Sequence, residues 1–321
     1  MEENKESIFY YTSSEKTPSG IATLANENAL KDLELLLVSL QLWNKELPIL
    51  YIACTKGVSD VFDEILKKTN YKGEYRLNFL LEPYVQYNRS QMEKMPSMKG
   101  YPNLWFDFML EKTHLIDWVL EEHEKKEKKE KDKKDGGVLF CDADICWLGP
   151  LPKIPANKTV GVSPHGIRAY DEAKFGIYNG GFLWTNSKPP IETWREATKT
   201  STFFEQMSIQ DIVYSLKPEE VYIFKEQFNY GWWRMFQSAS SIETKKKEWS
   251  VFRSSTEDTN SGIRVQTEPL SCIHTHFTEK KDVITVLFNR FVIEKLELLA
   301  KQKNHLVNKK IQVLLDFIKA M

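Results

Sequence analysis

Four short runs in the first half of the chain are dense in apolar residues. The run at 48–54 (PILYIAC) is apolar at nearly every position, as in a strand that is buried on both faces of a sheet. β-Branched and aromatic residues are common in these runs, which favours strands over buried helices. Strands are therefore predicted at residues 21–24, 48–54, 76–81 and 138–141.

Between these runs, apolar residues recur three and four positions apart, which is the spacing of one helix face. The clearest case is the segment 26–43, where leucines 33, 36, 37 and 40 share a face. A second helix is predicted at 60–68, with Ser59 as its N-terminal cap. A third is predicted at 103–123. The resulting β-α-β-α-β-α-β order predicts an α/β fold with a mostly parallel central sheet flanked by helices.

The second half of the chain has a less regular pattern. Segment 243–261 is polar and is predicted to be a surface loop, and 283–321 is an amphipathic helical tail with apolar residues that include Leu287, Leu296 and Val307. This tail is expected to pack on its own domain. Strands are predicted at residues 159–163, 178–185, 221–224 and 270–277, and helices at 191–198 and 206–216.

Composition and charge exclude several classes of protein. Lys and Arg number 44 and Asp and Glu number 45, so the net charge is −1, without the basic excess of a general nucleic-acid binder. Hydrophobic residues make up 41% of the 321 residues, which is ample for a packed core. A highly charged run at 124–137 (EKKEKKEKDKKDGG) is predicted to be a solvated extension of the preceding helix that frays at the two glycines, and it is treated as a loop within the domain. A docking segment for a charged partner is the alternative.

The cysteines and the N-terminus bear on where the protein works. Four cysteines, Cys54, Cys141, Cys146 and Cys272, fit neither a metal-finger spacing nor a disulfide scaffold, and they are expected to be buried thiols in a reducing compartment. No apolar segment reaches the ~18–20 residues of a membrane span. The polar, acidic N-terminus does not resemble a signal peptide. We therefore expect a soluble, cytoplasmic protein.

The candidate chemistry lies at 138–147 (VLFCDADICW), where an apolar strand leads directly to Asp142 and Asp144. In open α/β sheets, ligands bind beyond the carboxyl ends of the strands, which is where these carboxylates are expected. In an extended chain, residues i and i+2 point to the same side. Two carboxylates so placed can share a divalent cation, and a cation there would neutralise charge on a leaving diphosphate. A pair of exposed aspartates in a turn is the alternative.

The segment LFCDADICWLGPL resembles the Asp-x-Asp segment of GT-A-fold glycosyltransferases, and it is most similar to glycogenin-like enzymes and plant nucleotide-diphospho-sugar transferases. Weaker similarities follow in the same order from about residue 20 to 280. The resemblance implies a Rossmann-like GT-A domain at 1–288 with a C-terminal helical segment at 289–321 that packs on it. The nucleotide-sugar half would span 1–186 and the acceptor half 187–288, with 124–137 as a loop.

The resemblance implies a donor site built from several segments. Residues on the first strand would hold the nucleoside, Lys112 would face the donor, and Ala143 would lie between the two metal-binding aspartates. Asn179 has both donor and acceptor groups for sugar hydroxyls, and glycines allow a ligand to approach the backbone closely. The implied donor-binding residues besides the aspartates are Thr23, Leu24, Ala25, Asn26, Lys112, Ala143, Asn179, Gly180, Gly181 and Lys280.

A late segment, IHTHFTEK at 273–280, is similar to the part of these enzymes where a histidine completes the metal site and a lysine contacts the diphosphate. Either His274 or His276 fits, and the His-x3-Lys spacing to Lys280 slightly favours His276. Imidazole suits Mn²⁺ better than Mg²⁺. The glycine of the family signature is missing here.

The acceptor side is implied by a segment at 209–211 that resembles the Asp-Gln-Asp start of a helix, with Ile209 in place of the first Asp. Gln210 and Asp211, together with Asn179, are the candidate catalytic residues, and Asp211 is a possible base for the acceptor hydroxyl. Trp232 and Trp233 either stack on an acceptor sugar or pack in the core.

These features predict a glycosyltransferase that uses Mn²⁺ or Mg²⁺ and moves a hexosyl or pentosyl group from a nucleotide-sugar, most simply a UDP-sugar, to a hydroxyl of a glycan or other acceptor. Retention of configuration is slightly favoured. Two alternatives remain, a non-catalytic GT-A-fold protein that binds carbohydrate or nucleotide, and an Asp-x-Asp phosphohydrolase. The phosphohydrolase motif is usually near the N-terminus and continues as Asp-x-Thr/Val, whereas Cys146 stands at that position.

Overall fold

The structure is a computed structural model of the 321-residue chain, and it describes residues 14–127, 136–252, 260–302 and 305–321. Most of the charged run at 124–137 and part of the polar segment at 243–261 therefore lie outside the described residues. Residues 124–127 continue the preceding helix, as predicted for the start of this run.

The described residues contain fifteen strands. In chain order they are β1 Glu15–Lys16, β2 Gly20–Ala25, β3 Ile49–Cys54, β4 Tyr75–Asn78, β5 Val138–Cys141, β6 Ile145–Trp147, β7 Ile154–Pro155, β8 Val160–Pro164, β9 Tyr178–Thr185, β10 Val221–Ile223, β11 Tyr230–Gly231, β12 Trp249–Val251, β13 Ile263–Val265, β14 Glu268–Pro269 and β15 Cys272–His274.

Eleven α-helices are described. They are α1 Leu30–Trp43, α2 Lys56–Thr69, α3 Arg89–Met92, α4 Leu104–Glu127, α5 Ala169–Phe175, α6 Pro189–Thr198, α7 Ile209–Ser215, α8 Trp232–Phe236, α9 Ile242–Lys247, α10 Val283–Ala300 and α11 His305–Ala320. Short 3₁₀ turns lie at Glu27–Ala29, Glu82–Tyr84, Gln206–Ser208 and Pro218–Glu220.

The predicted α/β fold with a mostly parallel central sheet is confirmed. Seven strands pair in the order β10-β8-β9-β5-β2-β3-β4. All neighbouring pairs are parallel except the two that involve β9, which runs antiparallel to both β5 and β8. The parallel strands therefore end at one edge, where the loops after β2 and β5 meet.

Helices cover both faces of this sheet because its strands are apolar on both sides. On β5, Leu139 and Cys141 pack into a core with α1, α2 and α11, whereas Val138 and Phe140 pack into a second core with α4, α6 and α7. Each core is built from alternate residues of the same strand, as the two-residue period of a strand requires. All four cysteines are buried in the described structure, and none forms a disulfide.

Three local predictions are wrong. Helix α2 begins at Lys56, earlier than predicted, because Thr55 and not Ser59 is its cap: the Thr55 Oγ1 accepts a hydrogen bond from the Val58 N–H. The polar segment at 243–261 contains most of α9 and all of β12. Leu287, predicted to lie on the packed face of the tail, is 45% exposed.

The C-terminal tail forms two helices, α10 and α11. Apolar side chains of α11, including Leu314 and Leu315, are buried in the same core as Leu33 and Leu36 of α1. The division of the chain at residue 288 remains a prediction. None of the helices in the described part of the chain is long and apolar enough to cross a membrane.

Candidate active site

A tight turn after β5 places the two aspartates of the Asp-x-Asp segment. The Ile145 N–H donates to the Asp142 carbonyl at 3.1 Å, so the chain reverses at Ala143 and does not continue in the extended form predicted from the sequence. The Asp142 N–H donates to the Gly181 carbonyl at 2.9 Å, which fixes the turn to β9. The turn thus brings the carboxylates together at the edge of the sheet.

A small second sheet brings a histidine to the same place. Strand β6 follows the turn and pairs antiparallel with β15, and Ile145 is the partner of His274 in this pairing. The His274 Nε2 lies 3.0 Å from the Asp144 Oδ1 and 3.7 Å from the Asp142 Oδ2. One ligand atom from each of these three residues lies within 4.8 Å of the others, a geometry that can hold a metal ion.

The other nitrogen of His274 is held by Asn229, a residue that the sequence analysis did not identify. The His274 Nδ1 lies 2.8 Å from the Asn229 Oδ1, while the Asn229 Nδ2 donates to the Asn179 Oδ1 at 3.0 Å and to the Ser163 Oγ at 3.1 Å. Because Asn229 uses its amide N–H groups elsewhere, its oxygen faces His274, and the Nδ1 must carry the hydrogen.

This hydrogen bond determines what the Nε2 of His274 can do. A neutral imidazole with its hydrogen on Nδ1 has a lone pair on Nε2, and here that lone pair faces two carboxylates. Only a proton or a cation between these groups makes the arrangement favourable. Metal-binding histidines commonly donate their second nitrogen to a neighbouring acceptor in this way, so the residues present fit a divalent cation.

The two carboxylates have opposite pKa shifts. Burial raises the pKa of Asp144, but the charge and hydrogen bond of His274 outweigh burial and lower the pKa to about 2. Burial dominates at Asp142 and raises its pKa. Asp144 is therefore the carboxylate that remains ionised beside His274, whereas the charge of Asp142 is the less well compensated of the two.

His276, the histidine slightly favoured by the sequence, is not part of the three-residue cluster. Its Nδ1 lies 2.9 Å from the Asp32 Oδ2 and its Nε2 lies 3.3 Å from the Asp144 Oδ2. The hydrogen bond to Asp32 raises the pKa of His276 to about 9. Burial lowers the pKa of His274, but the charges of Asp144 and Asp142 outweigh burial and raise it as well, so protonation does not separate the two histidines. The distances do, because only the ring of His274 lies within reach of both Asp142 and Asp144 in the cluster. The geometry thus selects His274.

A cleft of about 920 Å³ opens above the cluster, at the carboxyl end of β2. Of the four residues predicted to hold a nucleoside, Leu24 and Asn26 line the cleft, whereas Thr23 and Ala25 are buried behind its wall. Lys280 is exposed and lines the cleft together with Lys281 and Arg89. The cleft is also lined by Asp142, Ala143, Asp144 and both histidines.

The glycines of β9 make room for the cluster itself. A Cβ on Gly181 would lie 2.3 Å from the Asp142 Oδ2 and 2.6 Å from the His274 Cε1, distances too short for any side chain. A Cβ on Gly180 would meet the Glu205 Oε1 at 2.9 Å. The absence of a side chain at Gly181 therefore makes room for the side chains of the candidate metal cluster, a role that differs from the predicted approach of a ligand.

Lys112 is buried behind this strand and forms an ion pair that the sequence did not indicate. Its Nζ lies 2.7 Å from the Glu205 Oε1 and donates to the Gly180 carbonyl at 3.2 Å. Burial lowers the pKa of Lys112, but the charges of Glu205 and Asp142 outweigh burial, and the pKa lies above its usual value. The Lys112 ammonium therefore acts on the site through its charge, from behind Gly180.

The predicted acceptor-side residues are not brought to the cleft. Asp211 is exposed on α7, and neither it nor Gln210 lines the cleft. The Gln210 Oε1 accepts a hydrogen bond from the Ile177 N–H at 3.0 Å, a contact that supports the entrance to β9. The atoms nearest to a Cβ on Gly180 are instead the Glu205 Oε1 and the Cβ and Cα of Gln206, in the turn before α7.

No protein-family model matches this chain, and no curated protein sequence matches it. Similar solved structures include mouse xyloside xylosyltransferase 1 (10% identity, 70% of this chain and 95% of the other, TM-score 0.41). They also include the galactosyltransferase LgtC in complex with donor and acceptor sugar analogs (14%, 91% and 99%, TM-score 0.46). A third is the glycosyltransferase GlyE of Streptococcus pneumoniae (13%, 88% and 62%, TM-score 0.45). These identities and TM-scores are too low to assign a function to this chain.

Proposed function

We propose that this protein is a metal-dependent glycosyltransferase that takes a sugar from a nucleotide-diphosphate donor, most simply a UDP-sugar. The observation that carries the proposal is the Asp142–Asp144–His274 cluster in the wall of the cleft, with the His274 Nε2 directed at both carboxylates. Such a donor set suits a hard or borderline divalent cation, and the imidazole favours Mn²⁺ over Mg²⁺.

When bound, the cation supplies the positive charge that a departing diphosphate needs. Asp142, Asp144 and His274 would hold the cation, and Lys280 at the rim of the cleft would contact the diphosphate. Leu24 and Asn26 would contact the nucleoside, since both line the same cleft. Lys112 adds positive charge through Gly180, although its ion pair with Glu205 compensates part of it.

In the proposed reaction, the oxygen of an acceptor hydroxyl forms a bond to the anomeric carbon of the donor sugar. The bond from that carbon to the diphosphate oxygen breaks, its electron pair stays on the diphosphate, and the hydroxyl proton leaves with the diphosphate. Asn179 and Gly181 are positioned by the same hydrogen-bond network as His274. Retention of configuration is the outcome we favour, as the family resemblance implies.

The test is acceptor-free hydrolysis of UDP-glucose, UDP-galactose and UDP-xylose by the full chain, followed as release of UDP. We expect turnover with Mn²⁺, none with EDTA, and a loss of at least a hundredfold in Asp144→Asn. Asp60→Asn is the matched control, since Asp60 is exposed, pairs with Lys56 and does not line the cleft. Turnover in EDTA and in Asp144→Asn that equals the turnover of the wild type in Mn²⁺ would refute the metal role.

Two other functions make different predictions in the same assay. A phosphohydrolase would cleave p-nitrophenyl phosphate in a reaction that depends on Asp142. A non-catalytic carbohydrate- or nucleotide-binding protein would bind UDP or a sugar without turnover. The paired carboxylates and the oriented histidine favour the glycosyltransferase, because a binding protein does not require a site for a cation beside a leaving group.

A further inference from the structure

A second cavity of about 240 Å³ lies next to the candidate metal cluster and shares no lining residue with the cleft. Its walls come from five segments of the chain, and we call it the aromatic chamber. The chamber is lined by His165, Ile167, Phe175, Asn179, Phe203, Gln206, Trp232, Trp233 and Gln237.

The chamber contacts the site through two of its wall residues. The Trp233 ring meets the His274 ring edge-to-face, with 5.1 Å between their centroids. The Asn179 Oδ1 accepts from Asn229, which in turn holds His274. A molecule in the chamber would therefore lie beside the side chains that hold the proposed cation, where the bond to the diphosphate breaks.

The chamber differs from the cleft in charge. No Lys, Arg, Asp or Glu lines it, whereas the cleft is lined by carboxylates and by cationic side chains such as Lys280. His165 is neutral as well, since burial lowers its pKa to about 4. An uncharged chamber excludes a phosphate or a charged peptide, because burial of an unpaired charge is costly.

The polar groups of the chamber suit hydroxyls. Gln206 uses its Nε2 to bond the Phe175 carbonyl at 2.8 Å, which leaves its Oε1 as an acceptor, and Gln237 adds a second amide. The Trp233 Nε1 is buried and has no hydrogen-bond partner among the described residues, although a buried indole N–H usually has one. Trp147 and Trp249 share this property, but they line neither cavity.

We propose that the aromatic chamber binds a sugar ring of the acceptor, so that the acceptor class of this enzyme is a saccharide. A pyranose has flat apolar faces that pack on aromatic rings and a rim of hydroxyls that need amide partners, and it carries no charge. The role of this sugar as an acceptor rests on the proposed function. The binding of a sugar in the chamber does not depend on that function.

The test uses the full chain in two measurements. The first is calorimetric titration with p-nitrophenyl β-D-glucoside, galactoside and xyloside without donor. The second is transfer to the best-bound glycoside, with acceptor-free UDP-sugar hydrolysis in parallel. The variants are Trp232→Ala, which removes an aromatic ring of the chamber, and Gln237→Ala, which removes a half-buried amide. Trp118→Phe is the control, since Trp118 packs on Tyr51 away from both cavities.

We expect both chamber variants to weaken glycoside binding and to raise the acceptor KM about tenfold, as loss of about 1.4 kcal/mol predicts. The rate of donor hydrolysis and the KM for the donor are expected to stay unchanged. If a glycoside binds and both substitutions weaken its binding, but no donor is turned over, the chamber proposal is supported and the proposed glycosyltransferase function is refuted. The chamber proposal is overturned if no glycoside binds, if the variants bind it as the wild type does, or if they raise the donor KM instead.

Discussion

The Asn229 Oδ1 lies 2.8 Å from the His274 Nδ1 and thereby determines which nitrogen of the histidine faces Asp142 and Asp144. Asn229 is fully buried and has a backbone φ of 55°, a left-handed conformation that Asn tolerates better than most residues. Four hydrogen-bonded side chains, those of His165, Asn179, Asn229 and His274, form a continuous network beneath the site.

The first prediction concerns this contact. Asn229→Gly removes the side chain and keeps the left-handed backbone without strain. We expect the affinity for Mn²⁺ to fall about 10–100-fold, the usual cost of losing a partner that orients a metal ligand. Mn²⁺ titration followed by electron paramagnetic resonance measures it. Asn186→Ala is the control, because the Asn186 side chain donates to the Lys158 carbonyl just after the end of β9 and Asn186 is not a member of the cluster.

The second prediction concerns the space that Gly181 leaves. A Cβ there would overlap the Asp142 Oδ2, so Gly181→Ala must displace a carboxylate of the metal cluster. We expect at least a tenfold weaker Mn²⁺ affinity in Gly181→Ala and a smaller change in Gly180→Ala, whose Cβ would meet only Glu205 and Gln206. Equal effects of the two substitutions on Mn²⁺ affinity would contradict this account of β9.

The third prediction concerns the buried ion pair. The Lys112 and Glu205 side chains are 1% and 2% exposed, so removal of one charge leaves the other buried and unpaired. Lys112→Met should lower the free energy of unfolding by about 3–5 kcal/mol, measured by urea denaturation. The double variant Lys112→Met/Glu205→Leu should recover much of that loss. If the double variant is no more stable than Lys112→Met, the unpaired charge of Glu205 is not the cause of the lost stability.

Much of the architecture could be predicted from the sequence, because short runs of neighbouring residues determine where its strands form. Val138–Cys141 was predicted with its observed bounds, because four apolar residues between a glycine pair and an aspartate leave few alternatives. The same run correctly indicated that Asp142 and Asp144 lie at the edge of the sheet, although a turn and not an extended strand brings them together.

The rest of the site depends on contacts between residues far apart in the sequence. The choice between His274 and His276 is made by the pairing of β15 with β6 and by Asn229 and Asp32, none of which the segment 273–280 reveals. Asp32 offered one signal, since it is a carboxylate in a leucine-rich helix and is buried there. Glu205 offered none, because its partner Lys112 lies 93 residues earlier in the chain.

The fourth prediction concerns acid. Burial lowers the pKa of His165 from 6.5 to about 4, and its neutral ring accepts from the Asn179 Nδ2. Between pH 6.5 and 4 the unfolded chain binds a proton at this position that the folded chain does not, so the contribution of His165 to stability is lost as the pH falls. We expect His165→Gln to unfold with a shallower dependence on pH over this range, measured by urea denaturation at several pH values. An unchanged slope would refute the role of His165.

The most direct test of the central claim is calorimetric titration of the full chain with UDP, in Mn²⁺ and in EDTA. The account predicts that UDP binds in Mn²⁺, that binding is undetectable in EDTA, and that Asp144→Asn in Mn²⁺ behaves as the wild type does in EDTA. Binding of UDP with equal affinity in all three samples would contradict it.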